Sequence, residues 1–268
     1  MTATGSIEAS DGIELFTRSW APDDPKRDML MVHGLGEHSG RWDHVAEFFV
    51  GRSYAVTGFD LRGHGQSGGA RVHVDSFNQM VDDLDAVAHG VGRDRPWVLY
   101  AHSFGGLIGT HYLTSAYRRP DAAVLSAPAL DDELPAVLHA AAQVFGRVTP
   151  KLSLPNSIDG AQLSRDPAVG EAYFADPLVQ TKATARFGLE GFNAQEAARA
   201  SLHEINVPTL VIHGAEDRLV PPMASAPLAA VEGVERKLYP GLRHELHNEP
   251  EGDQVLSDVA DWLDAALA

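Results

Sequence analysis

The chain has 268 residues and 44% hydrophobic content, enough to bury a sizeable core as one large domain or one domain with an insertion. Its formal net charge of −16 argues against binding nucleic acid or an anionic membrane through bulk electrostatics. It has no cysteine, which excludes disulfides, thiolate metal sites and a thiol nucleophile. Because the sequence shows neither a secretory signal pattern nor an apolar run of roughly 20 residues, we expect a cytoplasmic protein.

Short apolar runs bounded by Gly, Pro or Asp alternate along the chain with stretches of helical spacing. The apolar runs predict buried strands, and the apolar residues between them recur with the period of a helix. This alternation predicts an α/β fold with a mostly parallel central sheet flanked by helices. The predicted strands span 28–34, 54–60, 97–103, 122–128, 208–214 and 236–241, and the clearest helical patterns span 77–91 and 255–266.

The alternation stops between about Asp131 and Arg199. Residues 134–148 have the spacing of an amphipathic helix, and no strand-like run of comparable strength follows. We therefore predict a mainly helical cap inserted into the core. Its expected bounds are 129–203, between a first core part at 1–128 and a second at 204–268. Since the insertion follows a strand directly, it should cover the carboxyl edge of the sheet, where sites of such folds lie.

Ser103 stands between a strand that ends near Tyr100 and a Gly-rich helix start. A sharp strand-turn-helix elbow would hold its hydroxyl clear of the sheet edge and point the first helical amides at an oxyanion. Such a turn needs small neighbours. Gly105 and Gly106 supply them after the serine, but Ala101 stands where the pattern G-x-S-x-G has its first Gly. Because serine is also a favoured helix N-cap, this stretch alone leaves both interpretations open.

A nucleophilic serine needs an imidazole base and a carboxylate that orients the base. Asp217 and His244 each follow one of the last two predicted strands. The chain order Ser, Asp, His is that of hydrolases built on such sheets. Glu216 is a rival for the carboxylate role and His247 for the base, and each could instead be an ordinary loop residue.

Two backbone amides should stabilise the oxyanion that forms in acyl transfer. The Phe104 amide opens the helix after the serine. The second donor should come from the loop after an early strand, which here reads HGLGEHSGRW and offers the Leu35 amide. The alternative for Gly34 and Gly36 in this loop is a plain tight turn.

Several motifs together carry a family resemblance. The stretches HGLGEHSGRW, FDLRGHGQSGG, AHSFGG, SAPAL, HGAEDRLVP and YPGLRHELHNEP resemble the monoglyceride lipase family of α/β-hydrolases, and SRDPAVGEAYFADPLV is similar to its bacterial members. The similarity runs over nearly the whole chain. It implies an α/β-hydrolase fold with an inserted mainly helical cap. It also implies hydrolysis of monoacylglycerols to glycerol and fatty acid without a metal or organic cofactor.

The resemblance assigns roles by position. Ser103 would be the nucleophile, His244 the base and Asp217 its orienting carboxylate, with the Leu35 and Phe104 amides as oxyanion donors. Three polar residues match those that the family places around the glycerol headgroup, namely Glu37, Arg41 and His247. The alternative for Glu37 and Arg41 is an exposed ion pair, which contributes little. Ala101 departs from the usual Gly and puts only the fine geometry of the elbow in question.

Other functions compete with this interpretation. The same machinery would serve a broader carboxylesterase or a lysophospholipase. Dehalogenases and epoxide hydrolases share the fold but normally use an aspartate nucleophile. The stretch HELHNE lacks the i, i+4 histidine spacing of a zincin helix, so no metal is expected. A catalytically silent ligand-binding protein is the alternative outside enzymology.

The expected substrate is a small lipid ester, and no nucleic-acid partner is expected. Apolar residues of the cap should line a tunnel for an acyl chain, although many of them must pack against the core instead. Those at the tunnel mouth could touch a membrane or micelle transiently, or a second subunit in a homo-oligomer.

Overall fold

The computed structural model describes residues 2–92, 94–156 and 158–268. Within them, ten strands form an eight-stranded sheet and a separate two-stranded one. The strands are β1 (Thr2–Glu8), β2 (Glu14–Trp20), β3 (Arg27–Val32), β4 (Tyr54–Phe59), β5 (Trp97–His102), β6 (Ala122–Ser126), β7 (Ser153–Pro155), β8 (Lys182–Thr184), β9 (Thr209–Gly214) and β10 (Val234–Tyr239).

The large sheet has the order β1-β2-β4-β3-β5-β6-β9-β10. The six strands from β4 to β10 in this order pair in parallel, and β1 and β2 add antiparallel pairs at one edge. The predicted mostly parallel sheet is therefore confirmed. The hairpin of β1 and β2 was not predicted, because β1 is almost wholly exposed and its sequence TATGSIE has no apolar run.

Helices cover both faces of this sheet. Against one face pack α2 and α3 with part of α7, and against the other pack α1 and α8. Among the described residues the α-helices are α1 (Asp43–Val50), α2 (Asn78–Ala88), α3 (Phe104–Leu113), α4 (Ala136–Val148), α5 (Gly160–Leu163), α6 (Pro167–Ala175), α7 (Ala185–Ser201) and α8 (Gly252–Ala266). Short 3-10 helices span Ser39–Trp42, Leu202–Glu204, Pro222–Ala230 and Leu246–Asn248.

The central strands are buried on both faces, as the unbroken apolar runs predict, and every residue of β5, β6 and β9 is buried. The strand β10 differs, since Tyr239 is its one buried residue and Leu238 is 42% exposed. It forms the edge of the sheet and therefore has a neighbouring strand on one side only. The expectation that this run is buried on both faces was wrong.

The segment between β6 and β9 contains α4 to α7 and the antiparallel pair of β7 and β8. That short pair was not predicted, because three-residue strands carry too little pattern. Within Ala136–Val148, Gly146 alone is buried, so the apolar stripe of α4 is not packed into the core. In the part of the chain that the structure describes, no helix is long and apolar enough to cross a membrane.

Candidate active site

Ser103 sits on a strained turn between β5 and α3. Its backbone has φ 54° and ψ −119°, a conformation that non-glycine residues seldom adopt. The turn closes tightly, because a Cβ on Gly105 would lie 2.4 Å from the His33 carbonyl oxygen. The Ser103 side chain makes no N-cap hydrogen bond to α3, so the helix-cap interpretation does not describe it.

Ala101 is accommodated by a second small residue. A Cβ on Gly109 would lie only 2.9 Å from the Ala101 Cβ, closer than real Cβ contacts come. The additional methyl at the usual glycine position therefore occupies space that the bare backbone of Gly109 in α3 leaves free. The turn before Ser103 and the helix after it keep their close approach.

Three side chains from three strand ends form a continuous hydrogen-bonded chain. The Ser103 hydroxyl lies 2.9 Å from Nε2 of His244, and His244 Nδ1 lies 2.7 Å from Oδ2 of Asp217. All three residues are buried. The rival carboxylate, Glu216, is exposed. The structure thus brings together the three residues that the chain order singled out.

The electrostatics of this hydrogen-bonded triad favour the protonated, charged form of His244. Burial works against protonation of His244, but the Asp217 carboxylate and its hydrogen bond outweigh burial and raise the pKa of His244 above 6.5. Burial also opposes ionisation of Asp217. The His244 charge, with hydrogen bonds from His213 and His244, nevertheless holds the pKa of Asp217 well below its usual range. His213 Nε2 lies 3.2 Å from Asp217 Oδ2, a contact that sequence reasoning missed.

His33 sets the orientation of the peptide unit between Gly34 and Leu35. Its Nε2 accepts from the Leu61 amide at 2.9 Å, so Nδ1 carries the proton and donates to the Gly34 carbonyl oxygen at 2.8 Å. Burial lowers the pKa of His33 to about 4 and keeps this tautomer neutral. Since N–H and C=O point in opposite directions in a trans peptide, the Leu35 N–H points away from His33.

The amides of Leu35 and Phe104 donate to no acceptor within residues 2–92, 94–156 and 158–268. Both residues line the cavity that contains Ser103. Free N–H donors beside a hydroxyl are what an oxyanion requires.

Glu37, Arg41 and Glu245 form a buried ionic cluster instead of an exposed pair. One Arg41 nitrogen lies 2.8 Å from Glu37 and 2.7 Å from Glu245, and the other lies 2.9 Å from Glu245. Burial raises the pKa of Glu37. Burial acts in the same direction on Glu245, but the Arg41 charge outweighs it and lowers the pKa of Glu245. The alternative of an exposed, weak ion pair is therefore wrong.

The three predicted headgroup residues do not share one place. Glu37 lines the cavity, as does Glu245, which sequence reasoning missed. Arg41 and His247 are not among the residues that line it, and Arg41 lies between the two carboxylates. The His247 ring packs against the Trp42 ring with centroids 4.2 Å apart, and burial lowers the pKa of His247 well below 6.5.

The cavity has a volume of about 540 Å³. Ser103, His244 and the two carboxylates lie on its wall together with many apolar side chains from the core and the inserted segment. The apolar lining includes Leu107, Leu138, Leu154, Leu163 and Phe187. Among the described residues, no group of three or more His, Asp or Glu side chains is arranged to hold a metal ion.

A parallel α/β sheet with a serine on a strained elbow, hydrogen-bonded to histidine and aspartate at neighbouring strand ends, defines a serine hydrolase of the α/β-hydrolase class. Comparison with known proteins extends this assignment. The family profile described as "Serine aminopeptidase, S33" matches residues 23–251. The chain belongs to the monoglyceride lipase family within this class, as the motif resemblance predicted.

Individual relatives match over nearly their full length. The monoacylglycerol lipase of Mycolicibacterium smegmatis is 38% identical over 96% of this chain and 95% of its own. The human monoglyceride lipase is 34% identical over 97% of this chain and 89% of its own. The crystal structure of the Paleococcus ferrophilus monoacylglycerol lipase superposes with a TM-score of 0.87 at 32% identity and covers 94% of this chain and 99% of its own.

Proposed function

We propose that this enzyme hydrolyses monoacylglycerols to glycerol and fatty acid through an acyl-enzyme on Ser103. The observation that carries the proposal is the hydrogen-bonded chain Ser103–His244–Asp217 on the wall of a largely apolar cavity that also presents two carboxylates. Relatives named as monoacylglycerol lipases support the same substrate class.

The reaction proceeds in two acyl-transfer steps. His244 Nε2 takes the hydroxyl proton as the Ser103 oxygen attacks the ester carbonyl, and Asp217 stabilises the imidazolium that forms. The Leu35 and Phe104 amides hold the oxyanion. His244 then returns the proton to the leaving glycerol oxygen. A water molecule activated by His244 repeats the sequence and releases the fatty acid.

Glu37 and Glu245 receive the glycerol headgroup. Their carboxylates line the cavity and are hydrogen-bond acceptors, which two hydroxyl groups of a monoacylglycerol can satisfy. Arg41 does not line the cavity and does not touch the headgroup. It acts indirectly, by hydrogen bonding to both carboxylates. His247 also acts indirectly. Its ring packs against Trp42, and the Trp42 indole N–H donates to Glu37 at 3.2 Å.

The acyl chain occupies the apolar part of the cavity. Each methylene transferred from water contributes about 0.8 kcal/mol, so the depth of the cavity sets the chain-length preference. A diacylglycerol or triacylglycerol would place a second acyl chain against the buried Glu37 and Glu245, which favours a monoacyl substrate. The headgroup of a lysophospholipid would add a phosphate beside these carboxylates, and like charges at short distance repel.

Residues 129–203 form the cap in this proposal, with core parts at 1–128 and 204–268. Its outer surface suits contact with a lipid aggregate, because exposed apolar side chains that do not line the cavity concentrate there: Val137, Val144, Phe145, Val148, Leu152 and Phe174. The net charge of −16 favours neutral over anionic lipid surfaces. A homo-oligomer and a cytoplasmic location stay predictions from the sequence.

The test compares the hydrolysis of monooleoylglycerol, dioleoylglycerol, trioleoylglycerol and lysophosphatidylcholine by the native chain and by Ser103→Ala. We expect the monoacylglycerol to be preferred and the variant to be inactive with a native melting temperature. Similar rates for all four lipids would favour a broad carboxylesterase. Failure of the native chain to cleave any ester or to react with a fluorophosphonate would favour a silent binding protein.

A further inference from the structure

The loop that carries the Leu35 amide is held by a segment of the cap. We call Gly34–His38 the oxyanion loop and Tyr173–Gln180 the strap. The Gln180 amide donates to the Gly36 carbonyl oxygen at 2.7 Å, and His38 Nε2 donates to Asp176 Oδ2 at 2.8 Å. These two hydrogen bonds lie on the C-terminal side of Leu35, one and three residues beyond it.

The fit around Gly36 is close. Its φ of +79° favours glycine, and a Cβ there would lie 2.5 Å from the Gln180 carbonyl oxygen and 2.8 Å from the Tyr173 hydroxyl. Tyr173 is buried, and its ring faces the Arg41 guanidinium at 4.9 Å. The strap therefore contacts the loop at Gly36 and His38, and the Tyr173 hydroxyl lies 3.5 Å from the Leu35 carbonyl oxygen. Tyr173 also contacts the cation that holds Glu37.

The hydrogen bond between His38 and Asp176 has a fixed direction. His38 Nδ1 accepts from the Gly40 amide at 3.1 Å, so Nε2 carries the proton and must donate. Asp176 is itself held, because its other oxygen accepts from the Leu178 amide at 2.8 Å. The strap is anchored within the cap as well, since the Asn156 side-chain amide donates to the Gln180 carbonyl oxygen at 2.9 Å.

Contacts from the flanking chain hold both ends of the oxyanion loop, and the strap holds its middle. His33 and Glu37 hold Gly34, through its carbonyl oxygen and its amide at 2.8 Å and 2.6 Å. At the other end, His38 caps the 3-10 helix Ser39–Trp42, because its ring accepts from the Gly40 amide and its carbonyl oxygen from the Arg41 amide. Between these ends, the described hydrogen bonds to the Gly36 backbone and to His38 Nε2 come from the strap. Oxyanion donors act only when they are held at hydrogen-bond distance from the developing charge, and small displacements cost rate.

We propose that Asp176 and Tyr173 are positioning residues for catalysis, which hold the Leu35 amide in place through the oxyanion loop. The cap then contributes to transition-state stabilisation as well as to the acyl-chain cavity. This inference rests on the proposed function, because it needs the Leu35 amide to be an oxyanion donor.

Asp176→Asn tests the inference. The asparagine keeps the size of the side chain and can still cap Leu178, but it then turns an N–H toward the His38 N–H. Arg186→Ala is the matched control, because it removes another cap–core contact, the hydrogen bonds from Arg186 to the Asp75 carbonyl oxygen, away from the oxyanion loop. The readouts are kcat and KM for p-nitrophenyl acetate, which has too short an acyl chain to depend on the cavity, and the rate of fluorophosphonate labelling.

Loss of an entire oxyanion donor costs about 10²–10³ in kcat. For Asp176→Asn, a displaced donor should lower kcat about tenfold with KM within about twofold, and should slow labelling in parallel. Arg186→Ala should keep both rates within about twofold. Equal rates for the two variants, or a change confined to KM, would overturn the positioning role. If Asp176→Asn does not fold, Tyr173→Phe replaces it, with an expected drop in kcat of about threefold.

The proposed function fails in a different way. An inactive native chain that no fluorophosphonate labels would refute the hydrolase itself, whereas an active native chain with an equally active Asp176→Asn variant refutes only the role of the strap.

Discussion

Substitutions that transfer a methyl group from Ala101 in β5 to position 109 in α3 should show why the elbow at Ser103 tolerates Ala101. In Gly109→Ala the new Cβ would lie 2.9 Å from the Ala101 Cβ, against an optimal carbon separation of about 3.5–4.0 Å. Overpacking of this kind costs about 1–3 kcal/mol, and the better helix propensity of alanine returns about 1 kcal/mol. We expect a net loss of about 1 kcal/mol, which for a chain of this size lowers the melting temperature by about 2–4 °C.

Ala101→Gly removes a buried methyl, worth about 0.8 kcal/mol, and adds about 0.5–1 kcal/mol of backbone entropy cost in a strand. In the double variant the methyl at position 109 fills the space vacated at position 101. We therefore expect the free energy of unfolding of the double variant to lie within about 0.5 kcal/mol of that of the native chain. The sum of the two single changes would predict a larger loss, so the coupling energy is about 2 kcal/mol.

Urea unfolding of the native chain, the two single variants and the double variant measures this coupling. Turnover of p-nitrophenyl butyrate reports whether the elbow still positions Ser103 for reaction. Ala101→Gly should change turnover by no more than about threefold, because Ser103 keeps its strained turn. Additive effects in the cycle would show that the two positions are not in contact. An inactive but folded Ala101→Gly variant would show that the methyl positions the serine.

Three further changes probe the base, the cavity and the cap. Glu245→Gln removes a charge that raises the pKa of His244, so the acidic limb of the kcat/KM profile should move to lower pH, whereas exposed Glu216→Gln should leave the limb in place. Leu138→Trp should fill part of the cavity and lower kcat/KM for long-chain esters by about fourfold per excluded methylene, with short esters unaffected. Val137→Asp should weaken turnover of vesicle-borne monoacylglycerol without changing turnover of p-nitrophenyl acetate, because Val137 is 70% exposed on α4; equal losses on both substrates would contradict surface docking.

Much of the fold and of the triad could be predicted because each depends on local patterns. Unbroken apolar runs mark strands that are buried on both faces, and polar residues directly after those runs must meet at one edge of a parallel sheet. Ser103 and Asp217 follow runs of this kind, and His244 follows the shorter run of the edge strand β10. The same logic fails for β1, whose residues face water and carry no apolar period.

Contacts between distant parts of the chain could not be predicted. Glu245 lies next to His244 in sequence, but its partner Arg41 is 204 residues away. Nothing in the stretch YPGLRHELHNEP distinguishes a carboxylate that reaches a buried cation from one in a solvated loop. The strap has the same property, because Asp176 and Gln180 stand in a segment whose pattern indicates only helix and loop. To predict the compensation between Ala101 and Gly109, one must know which face of α3 lies against β5.

Trapping the acyl-enzyme tests most directly whether Ser103 is the nucleophile. The native chain is mixed with monooleoylglycerol carrying an isotope-labelled acyl group, quenched in acid within milliseconds, digested and analysed by mass spectrometry. We expect a labelled oleoyl ester on Ser103, which disappears on longer incubation as fatty acid is released, and no label in Ser103→Ala. Release of glycerol and fatty acid by a folded Ser103→Ala variant, or the label on a different residue, would contradict this role of Ser103.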